Sequence, residues 1–145
     1  HRDLHSFPTR RSSDLYNLDK RESTLLKQTV VVGGHNPDAY KTERLYATAR
    51  DGKKVPISII YKKGFEKNGK GNVLQYAYGS YGSTIDPSFS STRLSLLDSG
   101  FAFAIAHIRG SQTYGRPWYE DGKMLNKMNT FTDFIDCSKL LIQEK

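Results

Sequence analysis

Two short and almost continuously apolar runs constrain the fold of this chain more than any other feature. VLQYAY covers residues 73–78, and FAFAIAHI covers residues 101–108. Runs of this length and texture are typical of strands that are covered on both faces, as in a parallel sheet. Between them, a helix pattern extends from a capping serine, Ser90 or Ser91, to a closing glycine, Gly100. The pattern predicts a strand–helix–strand unit of an α/β fold.

The segment before these runs predicts a β-hairpin. ERLYATARDGKKVPISIIYKK (43–63) places strand-like residues on both sides of Asp51 and Gly52. This pair suits a type I′ turn, because both residues tolerate a positive φ. Pro56 cannot donate a hydrogen bond to a neighbouring strand, so it predicts an edge position or a bulge.

The two ends of the chain have different patterns. Residues 1–15 lack periodicity and an apolar stretch, so they do not form a signal peptide and are interpreted as a non-native leader. The alternative for this segment is a disordered basic tail. Residues 16–32 predict two short strands around a polar turn. NKMNTFTDFIDCSKLLIQEK (126–145) predicts an amphipathic helix with Thr130 and Asp133 as its capping box. Its apolar face consists of residues near 3.6 spacing: Phe131, Phe134, Ile135 and Leu141.

The composition excludes several classes of protein. Cys137 is the single cysteine of the 145 residues, so neither a disulfide framework nor a cysteine metal cluster is expected. No apolar run reaches the roughly 18 residues that a membrane-spanning helix needs. A net charge of +7 is compatible with nucleic-acid binding. The densest lysine group, at 62–70, lies among glycines and is better explained as a solvated loop.

Complete catalytic motifs are absent from the sequence. It contains no HExxH, P-loop, CxxC or dinucleotide-binding motif, so no metal and no cofactor is predicted. It also contains no Gly-x-Ser-x-Gly nucleophile elbow. His107 lies inside an apolar run, where a hydrogen-bonded structural histidine is more common than a catalytic base.

The candidate site is YAYGSYGSTIDPSFSSTRL (76–94), which follows the first apolar run. Ligands of open α/β sheets bind beyond the carboxyl ends of the strands. Gly79 and Gly82 let the backbone turn there and approach a ligand closely. Tyr78 and Tyr81 place phenols beside that turn, and a tyrosine hydroxyl can donate to a developing oxyanion. From spacing alone, both tyrosines are better explained as cover for a strand end.

The sequence closely resembles the prolyl oligopeptidase family of serine peptidases, and within it the oligopeptidase B branch. The resemblance rests on YAYGSYGSTIDPSFSSTRLSLLDSGFAFAIAHIRG followed by GRPWYEDGKMLNKMNTFTDFIDC, which contain YGSYG, HIRG, WYEDGK and NTF in this order. It covers roughly residues 16–145. It implies the last strands of a β-propeller at 16–34 and the N-terminal part of an α/β-hydrolase peptidase domain at 35–145.

The resemblance also implies an activity. The parent enzyme would hydrolyse short peptides after lysine or arginine through an acyl-enzyme, without a cofactor, a nucleic-acid partner or a membrane. Its nucleophilic serine and its catalytic aspartate and histidine would all follow residue 145, so the chain alone is expected to be inactive. The implied location is the cytoplasm, with the periplasm as the alternative.

Individual residues match positions of the family pattern. Tyr78 matches the tyrosine that supplies one oxyanion-hole donor, and Tyr81 matches an aromatic position of the substrate cleft. Asp86 matches one of two acidic positions associated with a basic residue next to the cleavage site. The second of these positions falls at Ser88, which departs from the pattern. The remaining signature residues are interpreted as structural: Arg109, Trp118 and Glu120.

Two other functions stay open at this point. A prolyl oligopeptidase-type enzyme would cut after proline, and the residues that decide between the two specificities would lie beyond residue 145. A small basic β-rich module would instead use the lysines of residues 62–70 and the tyrosines to bind nucleic acid. Nucleic-acid binding that weakens as the salt concentration rises would indicate this binding module.

Overall fold

The computed structural model describes residues 12–144, which contain two β-sheets and three α-helices. The first sheet is a hairpin of β1 (Ser12–Asn17) and β2 (Glu22–Gln28), which pair antiparallel. The Asn17 side chain accepts hydrogen bonds from the next turn residues, so the predicted polar turn is confirmed. β1 begins before residue 16, the predicted start of the native sequence, because residues 12–15 pair with β2. Residues 1–11 of the predicted leader lie outside the described residues.

The second sheet carries the candidate site. Its strands are β3 (Tyr40–Thr48), β4 (Lys54–Lys62), β5 (Asn72–Tyr76) and β6 (Phe101–Ala106), arranged in the order β3-β4-β6-β5. β5 and β6 are parallel and are connected through α1 (Ser91–Asp98), which confirms the predicted strand–helix–strand unit. The other two pairings are antiparallel, so the structure is α/β with a mixed sheet.

The turn between β3 and β4 differs from the predicted one. The Ala49 N–H donates to the Lys53 carbonyl, and the Gly52 N–H donates to the Ala49 carbonyl, each at 2.8 Å. Of the pair Asp51 and Gly52, only the glycine has a positive φ, of 84°. This combination is a type I turn followed by a glycine bulge, which replaces the predicted type I′ turn.

Pro56 lies inside the sheet, so the prediction of an edge or a bulge is wrong. Its strand pairs with β3 on one side and with β6 on the other, without a register shift. The His107 N–H donates to the Pro56 carbonyl at 2.8 Å, but proline has no N–H for the return bond. The indole Nε1 of Trp118 donates to the His107 carbonyl instead, at 3.0 Å. This bond fixes α2 (Arg116–Glu120) on the sheet.

Hydrophobic clusters cover both faces of the second sheet. On one face, the buried side chains Val55, Ile57 and Trp118 pack together with Cys137 of α3 (Met128–Gln143). The cluster on the other face consists of buried side chains from β4, α1 and β6: Ile60, Leu97, Phe103 and Ile105. β6 contributes to both clusters, so its predicted cover on both faces is confirmed.

β5 is exposed at the edge of the described sheet. Val73, Leu74 and Tyr76 are 40–48% exposed. The prediction that VLQYAY is covered on both faces is therefore not met within residues 12–144. An exposed strand edge of this kind offers unpaired N–H and C=O groups to a further strand.

The C-terminal helix is confirmed, and its predicted apolar face is buried in part. Phe134 and Leu141 pack against the core cluster, whereas Phe131 and Ile135 are 57% and 45% exposed. Asp133 and Cys137 are fully buried. The polar partners of Asp133 determine this orientation, as described below. No helix within residues 12–144 combines the length and the apolar character that crossing a bilayer requires.

Candidate active site

The two candidate tyrosines lie in the loop that follows β5. Tyr78 comes two residues after the strand, is 42% exposed, and its hydroxyl has no hydrogen-bond partner among residues 12–144. Tyr81 is 88% exposed and has a φ of 55°, in the left-handed region that non-glycine residues seldom adopt. The structure therefore brings both phenols to the surface beyond the carboxyl end of β5, as the sequence predicts.

Two glycines allow this loop to pack against the loop after β6. A Cβ on Gly79 would lie 2.7 Å from the Arg109 carbonyl oxygen, and one on Gly110 would lie 2.7 Å from the Gly79 carbonyl carbon. Neither distance is compatible with a side chain, so backbone packs directly on backbone at both positions. The sequence predicts that Gly79 approaches a ligand, whereas the close contact in the structure is with the loop after β6.

Hydrogen bonds attach the half of the loop that follows Tyr81 to residues 110–112. The Gly82 N–H donates to the Gly110 carbonyl at 3.0 Å, and the Gln112 N–H donates to the Thr84 hydroxyl oxygen at 3.2 Å. These bonds hold the loop next to residues 110–112 and support the left-handed conformation of Tyr81. A conformation of this kind persists only where the surroundings determine it.

A lysine that the sequence pattern does not indicate holds the half of the loop that directly follows Tyr78. The Nζ of Lys127 donates to the Gly79 carbonyl at 2.5 Å and to the Ser80 hydroxyl oxygen at 2.7 Å. Lys127 immediately precedes α3, so the start of that helix is linked to the residues after Tyr78. Nothing in the local sequence distinguishes this lysine from a solvated surface charge.

Thr130 does not cap α3, so the predicted capping box is wrong. Its hydroxyl donates to the carbonyl oxygens of Arg109 and Gly122, at 2.9 and 3.0 Å. Because Gly79 also packs against Thr130, the first turn of α3 supports the loops on both sides of the tyrosines.

Arg109 forms the buried polar centre behind the site. Its Nε and Nη2 donate to both carboxylate oxygens of Asp133, at 2.9 and 2.6 Å, and its Nη1 donates to Asp51 at 2.5 Å. Hydrogen bonds to Asp133, with those to Asp51, raise the pKa of Arg109 despite its burial. Both carboxylates and the guanidinium are thus paired, as buried charges require. The structural role predicted for Arg109 agrees with these contacts.

The other two signature residues also have structural contacts. Trp118 is buried, and the guanidinium carbon of Arg109 lies 5.9 Å from its ring centroid. Glu120 forms ion pairs with Arg116 at 2.5 Å and Lys123 at 2.6 Å on the surface.

His107 is a buried structural residue. Its Nε2 lies 3.0 Å from Arg44 Nη1 and 2.9 Å from the Ser58 hydroxyl oxygen. A guanidinium can only donate, so Nε2 accepts and the ring proton is on Nδ1. Burial, together with the charge of Arg44, lowers the pKa of His107 to about 4. An imidazole of this kind is neutral near pH 7 and is hydrogen-bonded through Nε2, in agreement with the predicted structural role.

The lowered pKa of His107 predicts a pH dependence of stability. The folded protein takes up this proton at about pH 4, and the unfolded chain at about 6.5. Stability should be complete above pH 6.5 and fall as the pH approaches 4, by up to about 3 kcal/mol from this residue. Urea titrations at pH 7.5 and 4.5 measure the loss. His107→Gln should reduce it, and an unchanged loss would contradict the assignment.

Asp86 lies apart from the tyrosines. It lines a polar cavity of about 620 Å³ together with Arg44, Ser58, His107 and Gln112. Neither Tyr78 nor Tyr81 lines this cavity. Among the described residues, no cluster of histidine, cysteine and carboxylate side chains is arranged to hold a metal ion.

Comparison with known proteins defines the family. The model of the prolyl oligopeptidase family matches residues 87–145. The dipeptidyl aminopeptidase BI of Pseudoxanthomonas mexicana is 53% identical over 129 residues, which are 88% of this chain and 18% of that protein. The chain belongs to the prolyl oligopeptidase family. Protease 2 of Moraxella lacunata, a further member, is 46% identical over 128 residues, which are 88% of this chain and 19% of that protein.

A solved structure of this family has the same fold. Oligopeptidase B of Leishmania major superposes with a TM-score of 0.88 at 41% identity, over 97% of this chain and 20% of that one. The predicted resemblance to the prolyl oligopeptidase family and its oligopeptidase B branch is thus confirmed. The chain spans about a fifth of the length of these relatives.

Proposed function

We propose that this chain is part of a serine oligopeptidase that hydrolyses short peptides through an acyl-enzyme. In this proposal, residues 16–34 are the end of a β-propeller, and residues 35–145 are the N-terminal part of an α/β-hydrolase peptidase domain. Membership of the prolyl oligopeptidase family supports a peptidase. The observation that carries the proposal is the exposed hydroxyl of Tyr78, which lies beyond the carboxyl end of a parallel strand and has no hydrogen-bond partner among residues 12–144.

The proposed role of Tyr78 is to donate one hydrogen bond to the oxyanion. When a serine attacks a peptide carbonyl, negative charge develops on the carbonyl oxygen, and fixed donors stabilise it. The Tyr78 hydroxyl has no competing partner among the described residues, and the backbone on its C-terminal side is held by close packing and by Lys127. The nucleophile, base and orienting acid would come from a segment outside residues 1–145 and act as a unit.

Tyr81 and Asp86 are proposed to bind substrate. The exposed ring of Tyr81 suits the wall of a cleft that accommodates apolar parts of a peptide. Asp86 supplies an exposed carboxylate, which would attract a lysine or arginine of the substrate. This pairing would favour a basic residue next to the cleavage site, whereas the residues that select lysine or arginine at the cleaved bond itself would lie beyond residue 145.

A second candidate activity is the release of dipeptides from a free amino terminus. It is supported by the 53% identity to a protein named dipeptidyl aminopeptidase BI. An enzyme of this kind must recognise the terminal ammonium group, and a blocked substrate removes that group. Substrates with and without a blocked amino terminus therefore distinguish the two activities.

The test uses the complete protein that contains this segment. We expect turnover of blocked fluorogenic peptides ending in arginine or lysine, abolished by a serine-directed inhibitor. Turnover of free dipeptide substrates alone would favour the dipeptidyl activity, and a preference for proline would favour post-proline cleavage. No turnover of any peptide would contradict the proposal.

The 145-residue chain by itself provides a control. It contains no Gly-x-Ser-x-Gly sequence, so it should not hydrolyse these substrates. Inhibitor-sensitive turnover by this chain would show that the nucleophile had been assigned to the wrong segment. The cytoplasmic location and the absence of a nucleic-acid partner stay predictions.

A further inference from the structure

We propose that Lys127 is a positioning residue that holds Tyr78 in its catalytic orientation. The inference rests on the proposed function, because it assigns to Lys127 the control of the oxyanion donor. Lys127 itself would not touch the substrate. It would act through the Gly79–Ser80 peptide group, which begins one residue after Tyr78.

The contacts of Lys127 converge on that peptide. Its ammonium donates to the Gly79 carbonyl at 2.5 Å and to the Ser80 hydroxyl oxygen at 2.7 Å. Both acceptors lie within two residues of Tyr78, and a charged donor makes stronger hydrogen bonds than a neutral one. Two bonds from one nitrogen fix the direction of the Gly79 carbonyl, and with it the backbone on the C-terminal side of Tyr78.

The stability of α3 does not explain this lysine. A cation next to the first turn of a helix faces the positive end of the helix dipole, which is unfavourable. The Lys127 side chain makes no capping hydrogen bond to the helix, and its φ of −57° is already helical. Its ammonium lies 5.8 Å from the ring centroid of Phe131 in α3, but both of its hydrogen bonds lead to the tyrosine loop.

The loop needs a contact at this point because its other supports lie elsewhere. Gly82 is bonded to Gly110, which fixes the half of the loop that follows Tyr81. On the side of Tyr78, Gly79 has no side chain, and among residues 12–144 it is held by packing and by Lys127. Without the ammonium, the Gly79 carbonyl loses this donor, and the tyrosine can shift with the backbone.

The test compares Lys127→Met and Lys127→Arg in the complete peptidase. Because a misplacement of about 1 Å can cost up to 10²-fold in rate, we expect Lys127→Met to lower kcat at least about tenfold with little change in KM. Lys127→Arg should retain most of the rate, because it keeps a cationic donor. Lys123→Met is the matched control, since Lys123 pairs with Glu120 at 2.6 Å and does not contact the loop. Its kcat should equal that of the wild type.

A double variant separates positioning from general structural support. If Lys127 acts through the Tyr78 hydroxyl, Lys127→Met should cost less than about threefold in a Tyr78→Phe background. An equal loss in both backgrounds would overturn the inference, as would a kcat of Lys127→Met within about twofold of the wild type. In either of these cases the proposed function stands if Tyr78→Phe alone is slow. If Tyr78→Phe itself is as fast as the wild type, the oxyanion role of Tyr78 fails and the positioning inference fails with it, whereas the proposed peptidase activity stands.

Discussion

Replacing Tyr78 with phenylalanine in the complete peptidase should lower kcat by about 10²–10³ and leave KM nearly unchanged. The substitution removes one hydroxyl and keeps the ring and its packing. An oxyanion donor interacts more strongly with the tetrahedral intermediate than with the ground-state carbonyl, so its loss affects the chemical step. Steady-state kinetics on a blocked arginine substrate measure both constants, and the melting temperature should be nearly unchanged.

Tyr81→Phe is the matched control for this variant. It removes the same atom from a tyrosine of the same loop, and an aromatic wall of the cleft should tolerate the change. If Tyr78→Phe retains most of its kcat, the tyrosine contributes packing only. If kcat is retained and KM rises, Tyr78 binds substrate without assisting the chemistry.

The second large effect should come from the buried ion pair behind the site. Asp133→Asn should destabilise the fold by about 3–5 kcal/mol, because it removes one partner of a buried charge. The side chains of Arg109 and Asp133 are 2% and 0% exposed. Asparagine keeps the shape of the side chain but cannot neutralise the guanidinium. Its NH2 group is a donor, and it would replace one of the two carboxylate oxygens that accept hydrogen bonds from Arg109. The shift in the urea midpoint, multiplied by the m-value, gives the loss.

Asp51→Asn provides the comparison for Asp133→Asn. Asp51 pairs with the same guanidinium at 2.5 Å, but its side chain is 44% exposed. Water can therefore replace much of its interaction, and the loss should stay below about 1 kcal/mol. Equal effects of the two substitutions would show that burial does not decide the contribution of each carboxylate.

Local sequence patterns predict the strands and helices that are determined by residues close to one another in the chain. The strand–helix–strand unit of β5, α1 and β6 follows from apolar runs and a capping serine, and the structure confirms it. The missing N–H of Pro56 predicts an edge position or a bulge. The indole of Trp118, from a distant segment, supplies the missing hydrogen bond, and no local pattern contains that contact. The position of proline in the sheet is thus determined by tertiary structure.

The same limit applies to the face of α3 that is buried. The spacing of four apolar residues predicts the buried face: Phe131, Phe134, Ile135 and Leu141. Phe134 and Leu141 pack against the core, whereas Phe131 and Ile135 are exposed in the described structure. Asp133 is buried because Arg109 binds it, and Thr130 bonds to carbonyls of other loops instead of capping the helix. Long-range polar contacts therefore orient this helix.

The candidate site was predicted in part. Tyr78 and Tyr81 were identified through the family resemblance, and the structure places both beyond the end of β5. Lys127 was missed, since a lysine next to a helix start has the local pattern of a solvated charge. Asp86 lines a cavity that neither tyrosine reaches, so its role depends on how a bound peptide extends between them.

The most direct test of the central claim is a crystal structure of the complete enzyme with a peptide aldehyde bound to the nucleophile. Such an adduct is a hemiacetal with a tetrahedral carbon, and its oxygen lies where the oxyanion of the intermediate would lie. The account predicts that the Tyr78 hydroxyl lies about 2.7–3.1 Å from that oxygen. A Tyr78 hydroxyl directed away from the adduct, farther than about 3.5 Å from its oxygen, would contradict the oxyanion role.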